Sequence, residues 1–288
     1  MVAKDSIKLI ECPRDAMQGI HDFIPTEKKI RYINSLLKVG FDTLDFGSFV
    51  SPKAIPQLVD TQEVLENLDL KSSSTKLLAI VANERGGLEA SKFKEISYLG
   101  FPFSISEIFQ KRNTNSSIND SLKLVQKLLN ICQDSQQELV VYVSMGFGNP
   151  YNEPWSVDIV LDFCEKLAGL GVNILSLSDT IGSSNPDSIS QLFSNLIPAF
   201  PNVEFGAHLH TAPHNWREKI VAAYDNGCRR FDGAIKGFGG CPMAADELVG
   251  NMPMENLLTF AEEKKLVHHL NPLAFESSYN MALEVFPN

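Results

Sequence analysis

The segment Gly206-Ala207-His208-Leu209-His210-Thr211-Ala212-Pro213-His214 carries three of the chain's six histidines, and a single leucine separates His208 from His210. Side chains two positions apart on a β-strand point to the same face. If Val203 to Leu209 is a strand, both imidazoles leave its C-terminal end on one side. Two imidazoles converging in this way can take neighbouring positions on one metal ion. A pair of hydrogen-bonded rim histidines is the alternative. A carboxylate arriving from another strand end would favour the metal.

Three further segments bring chemistry-bearing groups. Ile7 to Glu11 reads as a strand that runs into Cys12-Pro13-Arg14-Asp15-Ala16-Met17-Gln18. Asp15 is a candidate metal ligand. Arg14 is a candidate to stabilise negative charge growing on a carbonyl oxygen. A surface Arg–Asp ion pair is the competing reading. Gly237-Phe238-Gly239-Gly240-Cys241-Pro242 has three glycines in four positions, a backbone that can approach a ligand closely. Cys241 could act there as a general acid or base, or be incidental to a glycine-rich turn. Asn251 precedes a helix start, where its side chain could cap the helix or offer an amide oxygen to a cation.

Something must hold these segments together, and the hydropathy pattern says what. Strand-like runs alternate with helical ones along the whole chain. Strands are expected at Ile7 to Glu11, Thr43 to Phe46, Lys76 to Ala82, Phe101 to Ile105, Leu139 to Ser144, Val172 to Ser178, Val203 to Leu209 and Arg229 to Gly233. Helices are expected at Thr26 to Val39, Ile55 to Leu68, Leu88 to Phe93, Ile118 to Cys132, Ser156 to Leu170, Pro186 to Pro198, Asn215 to Asn226 and Met254 to Leu266. Ser156 is a candidate cap, and Pro186 suits a first helical turn. Alternation of this kind implies parallel strands with helical crossovers. About eight units over this length favour a closed (β/α)8 TIM barrel, an α/β fold. No Gly-rich nucleotide fingerprint follows the first strand. The chain reads as a single catalytic domain over 1–288, with its core at about 7–266. The tail from Asn271 to Phe286 suggests extra C-terminal helices over about 267–288.

Composition narrows the class. The chain has 288 residues, 44% of them hydrophobic, enough for a substantial core. A net charge of −10 argues against a nucleic-acid partner. The five scattered cysteines lack CxxC spacing and suit a reducing compartment. No signal-peptide pattern and no run of about 18 apolar residues is present. A cytoplasmic protein without membrane contact is expected.

Six motifs in order resemble those of the 3-hydroxy-3-methylglutaryl-CoA (HMG-CoA) lyase family, metal-dependent lyases and Claisen-type synthases on a (β/α)8 barrel. They are Pro13-Arg14-Asp15-x-x-Gln18, Ser48-Phe49-Val50-Ser51-Pro52-Lys53, Ser178-Asp179-Thr180-Ile181-Gly182, His208-x-His210, Gly237-x-Gly239-Gly240-Cys241-Pro242 and Gly250-Asn251. The resemblance covers about residues 7–266. It implies cleavage of 3-hydroxy-3-methylglutaryl-CoA to acetyl-CoA and acetoacetate. It implies a divalent cation, Mg²⁺ or Mn²⁺ before Zn²⁺, held by Asp15, His208, His210 and Asn251. It further implies that Arg14 neutralises the enolate, that Cys241 transfers a proton, that Asp179 is an active-site acid, and that Gln18 lies in the same cleft. Lys53 is a candidate contact for the CoA phosphates or the substrate, or else a solvated loop lysine. Barrels of this kind often pair, so a homodimer is expected.

The chain departs from that pattern at three places. Where the family carries Glu before Ser-Phe, the run here is Leu44-Asp45-Phe46-Gly47-Ser48, so Asp45 stands in one methylene shorter. The acid usual after the second histidine is Thr211. At the fifth strand end, Phe147 and Asn149 are expected to reshape the acyl pocket, and His214 is expected at the surface or at a helix cap. These changes keep open an aldolase or Claisen-type condensing enzyme acting on another acyl-CoA or a 2-oxo acid, and a catalytically silent barrel that binds acyl-CoA.

Overall fold

A computed structural model describes residues 6–240 and 249–286. Eight parallel strands close in sequence order into a barrel. They are β1 (Lys8–Glu11), β2 (Thr43–Ser48), β3 (Lys76–Ile80), β4 (Ile96–Ser104), β5 (Glu138–Ser144), β6 (Ile174–Ser178), β7 (Glu204–His208) and β8 (Arg230–Gly233). The seam is made by β8 against β1, with Lys8 opposite Arg230 and Glu11 opposite Gly233. The helices among the described residues are α1 (Pro13–Gln18), α2 (Thr26–Leu37), α3 (Thr61–Glu66), α4 (Glu84–Ala90), α5 (Glu107–Thr114), α6 (Ile118–Ser135), α7 (Val157–Gly169), α8 (Pro186–Ala199), α9 (Trp216–Asp225), α10 (Met254–Glu263) and α11 (Pro272–Val285).

The expected alternation therefore folds as the expected barrel, and the tail forms one helix, α11. Several of the helices start where a side chain satisfies a free N–H group. Ser106, Ser117, Ser156 and Asn185 each accept the N–H three residues on, at the starts of α5, α6, α7 and α8. The main shell of core packs strands against helices, through residues such as Phe101, Phe103, Leu192 and Phe193. A smaller cluster of Leu78, Ile80, Tyr98, Val140, Tyr142 and Ile174 fills the barrel.

Some boundaries differ from expectation for local reasons. β4 begins at Ile96 and runs through both Gly100 and Pro102. The pairing of β4 with β3 ends at Gly100, so the missing N–H of Pro102 interrupts nothing on that side. The helix expected over 55–68 is a 3-10 turn at Pro56–Leu58 followed by α3. The helix expected over 88–93 sits earlier, because Asn83 caps it at Gly86 N–H. α1 and α5 have no counterpart in the hydropathy pattern. In α1 every residue from Pro13 to Met17 is buried, charged ones included, so it has no polar face to reveal a helical period.

Gly100 faces inward, and a Cβ there would come within 2.5 Å of Ile80 Cδ1 and 2.9 Å of Leu78 Cδ2. Gly100→Ala should overpack the barrel and cost about 1–3 kcal/mol. Urea denaturation of the two proteins checks this, and an unchanged midpoint would contradict the packing described.

Candidate active site

Every strand delivers its C-terminal end to one rim, and the cleft lies there, as in other such barrels. It encloses about 1030 Å³ including its open mouth. One wall is polar, with Arg14, Asp15 and Gln18 from α1 and His208 and His210 from β7 and its extension. The rest of the lining mixes apolar Val50, Ile80, Ala82, Pro102, Phe109 and Tyr142 with polar groups such as Asn113, Ser144 and Thr180.

Asp15, His208 and His210 each offer a ligand atom, and these atoms lie within 4.8 Å of one another. All three side chains are buried. Such a set of one carboxylate and two imidazoles suits a divalent cation. Asn251 lies beside this group. Its Nδ2 donates to Asp15 Oδ2 at 2.6 Å and to the carbonyl of Phe238 at 2.9 Å. Residues 210 and 251 are brought together by an antiparallel bridge, with Thr211 N–H donating to Gly250 O and Met252 N–H to Leu209 O.

Arg14 sits at the centre of the polar wall. Its Nε and Nη2 donate to both oxygens of Asp45, at 2.5–3.2 Å, and Nη1 donates to Asp15 Oδ1 and Gln18 Oε1, both at 2.9 Å. A guanidinium has five N–H donors. Among the described residues one Nη2 hydrogen is left uncommitted. Asp45 thus reaches Arg14 in spite of its shorter side chain. Burial raises the Asp45 carboxyl to about 6 against the pull of Arg14. Burial also acts to raise Asp15, but Arg14, the two histidines and the Asn251 hydrogen bond outweigh it and hold the carboxyl below its ordinary range.

The two imidazoles behave differently. His210 is lowered to about 4, first by burial and then by the charge of His208. Burial would lower His208 too, but a hydrogen bond and the charge of Asp232 raise it. His208 Nδ1 lies 3.1 Å from Asp232 Oδ2. With the Nδ1 proton held by that carboxylate, Nε2 is the ring atom with a free lone pair. Asp232 was not singled out from the sequence. Its signal is positional: it faces His208 across the β7–β8 ladder.

Other expected residues are placed as follows. Gln18 lines the cleft and donates to Asp15 Oδ1 at 2.7 Å. Lys53 is exposed on the turn after β2, beside Ala54 and Ile55, which do line the cleft. Cys241 lies outside the described residues. Asp179 is not among the residues that line the cleft. It is buried, and Ser184 and Lys219 hold its carboxylate. The expectation that Phe147 and Asn149 shape the acyl pocket is corrected. Phe147 packs into the outer core, and the Asn149 side chain ties the turn from 149 to 153 through Tyr151 N–H, Glu153 N–H and Glu153 O. His214 is exposed in the turn before α9, as expected.

Removing the carboxylate that orients a metal-binding histidine typically weakens binding about 10- to 100-fold. Asp232→Ala should therefore lower Mn²⁺ affinity by that factor in a folded protein, measured by electron paramagnetic resonance of free Mn²⁺. Wild-type affinity would show that Asp232 has no such part.

Comparison with known proteins agrees with this geometry. The family model HMGL-like matches residues 7–281. A hydroxymethylglutaryl-CoA lyase, YngG, of Bacillus subtilis is 33% identical over 251 residues, spanning 87% of this chain and 83% of the relative. The mitochondrial hydroxymethylglutaryl-CoA lyase of Mus musculus is 30% identical over 278 residues, spanning 96% and 81%. Among solved structures, an HMG-CoA lyase from Acenitobacter baumannii in complex with coenzyme A and 3-methylmalate superposes with a TM-score of 0.90 at 28% identity, covering 99% of this chain and 92% of that one. The barrel, the Arg14–Asp15 helix, the paired histidines and these matches together show that the chain belongs to the HMGL-like family of HMG-CoA lyases.

Proposed function

We propose that this protein is a divalent-metal-dependent carbon–carbon lyase that cleaves 3-hydroxy-3-methylglutaryl-CoA to acetyl-CoA and acetoacetate. The observation that carries this reading is the convergence of Asp15, His208 and His210 beside Arg14 at one barrel rim. Relatives named for the same activity support it. So does the related lyase solved with coenzyme A, which points to an acyl-CoA as substrate.

Asp15, His208, His210 and Asn251 would hold the cation, with Mg²⁺ or Mn²⁺ suited to two oxygens mixed with two imidazoles beside the substrate cleft and Zn²⁺ less so. When bound, it acidifies the substrate hydroxyl and offsets the charge of the carboxylate. The chain's own groups do the rest. Apolar Val50, Ile80 and Pro102 accept the methyl-bearing carbon and exclude water. A base in the cleft takes the hydroxyl proton, and the electron pair left on that oxygen forms the ketone as the C2–C3 bond breaks. The pair from that bond becomes the thioester enolate, and the uncommitted Nη2 hydrogen of Arg14 stabilises its oxygen. Asp45 and Gln18 keep the guanidinium aimed. Cys241, which follows Gly239-Gly240 in the sequence, is assigned the proton returned to C2. Lys53, at the rim, is assigned to the CoA phosphates.

Among the described residues no helix is long and apolar enough to cross a membrane. Cys12, Cys132, Cys164 and Cys228 are unpaired and buried, which suits the reducing cytoplasm we assign to the protein.

The direct test gives purified protein 3-hydroxy-3-methylglutaryl-CoA with Mg²⁺ or Mn²⁺ and measures acetoacetate and acetyl-CoA. Equimolar release that a chelator stops is expected. Bound metal without release would move the substrate to another acyl-CoA or a 2-oxo acid. Arg14→Gln should lower kcat by about 10²–10³ and leave KM nearly unchanged, because the enolate charge develops in the transition state. A change confined to KM would remove Arg14 from that role.

A further inference from the structure

Asp179 and Lys219 form a buried pair whose place in the fold differs from that of an active-site acid. The Lys219 side chain is 1% exposed and that of Asp179 is 0% exposed. Lys219 projects from the first turn of α9. Its Nζ donates to Asp179 Oδ2 at 3.0 Å, to the carbonyl of His210 at 2.8 Å and to that of Gly182 at 3.4 Å. Asp179 is engaged at both oxygens. Oδ1 accepts Ser184 N–H at 2.9 Å, and Oδ2 accepts Ser184 Oγ at 2.5 Å as well as Lys219. Its own N–H donates to His208 O at 2.9 Å. The carboxylate is not among the groups that line the cleft, and both of its oxygens are engaged by donors of the chain.

The pair spans the junction at which the histidines leave the sheet. His208 is the last residue of β7, and His210 lies beyond the ladder, bridged only to Asn251. Lys219 fixes the main chain of that unladdered residue from behind. The position after His210, acidic in the family pattern, is Thr211 here, and its hydroxyl has no partner among the described residues. Asp179 is the carboxylate that neutralises Lys219.

We propose that Asp179 is a positioning residue, and that the Asp179–Lys219 ion pair sets the position of the His210 end of β7 for the cation. This rests on His210 being a cation ligand. A buried ion costs several kcal/mol when its partner is removed, whereas removing both partners costs far less. The stability effect and the positioning effect can thus be separated.

The test compares the wild type with Asp179→Asn, Lys219→Met, the double variant Asp179→Asn/Lys219→Met, and His210→Ala. Each is measured for thermal midpoint, Mn²⁺ affinity without substrate, and turnover at saturating Mn²⁺. The single pair variants should lose thermal stability, and the double should regain most of it. The double should still bind Mn²⁺ about tenfold more weakly than the wild type, since Lys219 is the donor to the His210 carbonyl among the described residues. Should Lys219→Met fail to fold, the double alone decides. A folded double with wild-type Mn²⁺ affinity would overturn the proposal. So would an Asp179→Asn protein that binds Mn²⁺ normally and has lost turnover, beside a Lys219→Met protein that turns over normally, since that pattern makes Asp179 the proton carrier. Unchanged Mn²⁺ affinity in His210→Ala would instead remove His210 from the ligand set.

Discussion

Closure of eight parallel strands is the constraint on which the site depends. A closed parallel ladder has no free edge, and each strand runs in the same direction. Residues distant in the chain must then meet at one rim. Asp15 and Asn251 are 236 positions apart and lie within hydrogen-bonding distance. No local conformational preference could bring them together. The register of β1 against β8 does so, because it closes the ring and sets the first strand end beside the last.

The site is also a set of buried charges, and each is stable only through its partners. Arg14 is held by Asp45 and Asp15, His208 by Asp232, and Lys219 by Asp179. Burial of one such group alone is strongly unfavourable, so the arrangement succeeds or fails as a unit. This organisation gives the reacting groups little freedom. Arg14 has most of its donors occupied and one free, which is how a guanidinium can be both anchored and available. Asp45, one methylene shorter than the acid the family carries, still meets Arg14 through both of its oxygens.

Much of this could be read along the chain. The alternation of strand and helix patterns implied the barrel, because long amphipathic helices such as α6 and α8 have clear faces. His208 and His210 were legible as a pair from their spacing, although His210 lies beyond β7 and is placed by its bridge to Asn251. The motifs around Arg14, Asp15 and Asn251 carried a family likeness that the comparisons then matched. Where the reading went astray, the reason was local. α1 is too short and too uniformly buried to show a period. Gly100 and Pro102 concealed the first half of β4. Phe147 and Asn149 sit next to the rim in sequence, but Phe147 packs into the shell between strands and helices, and the Asn149 side chain is taken up by its own turn.

The sequence by itself determined the class of fold, the strand ends at which chemistry is possible, and the residue types able to perform it. Those properties follow from periodicity and side-chain chemistry, which act over a few residues. Only the tertiary structure decided which charge faces which. It paired Asp232 with His208, turned Asp179 away from the cleft toward Lys219, and left Arg14 one hydrogen to offer. Those outcomes depend on register between strands and on burial, and in a closed barrel both are properties of the whole ring.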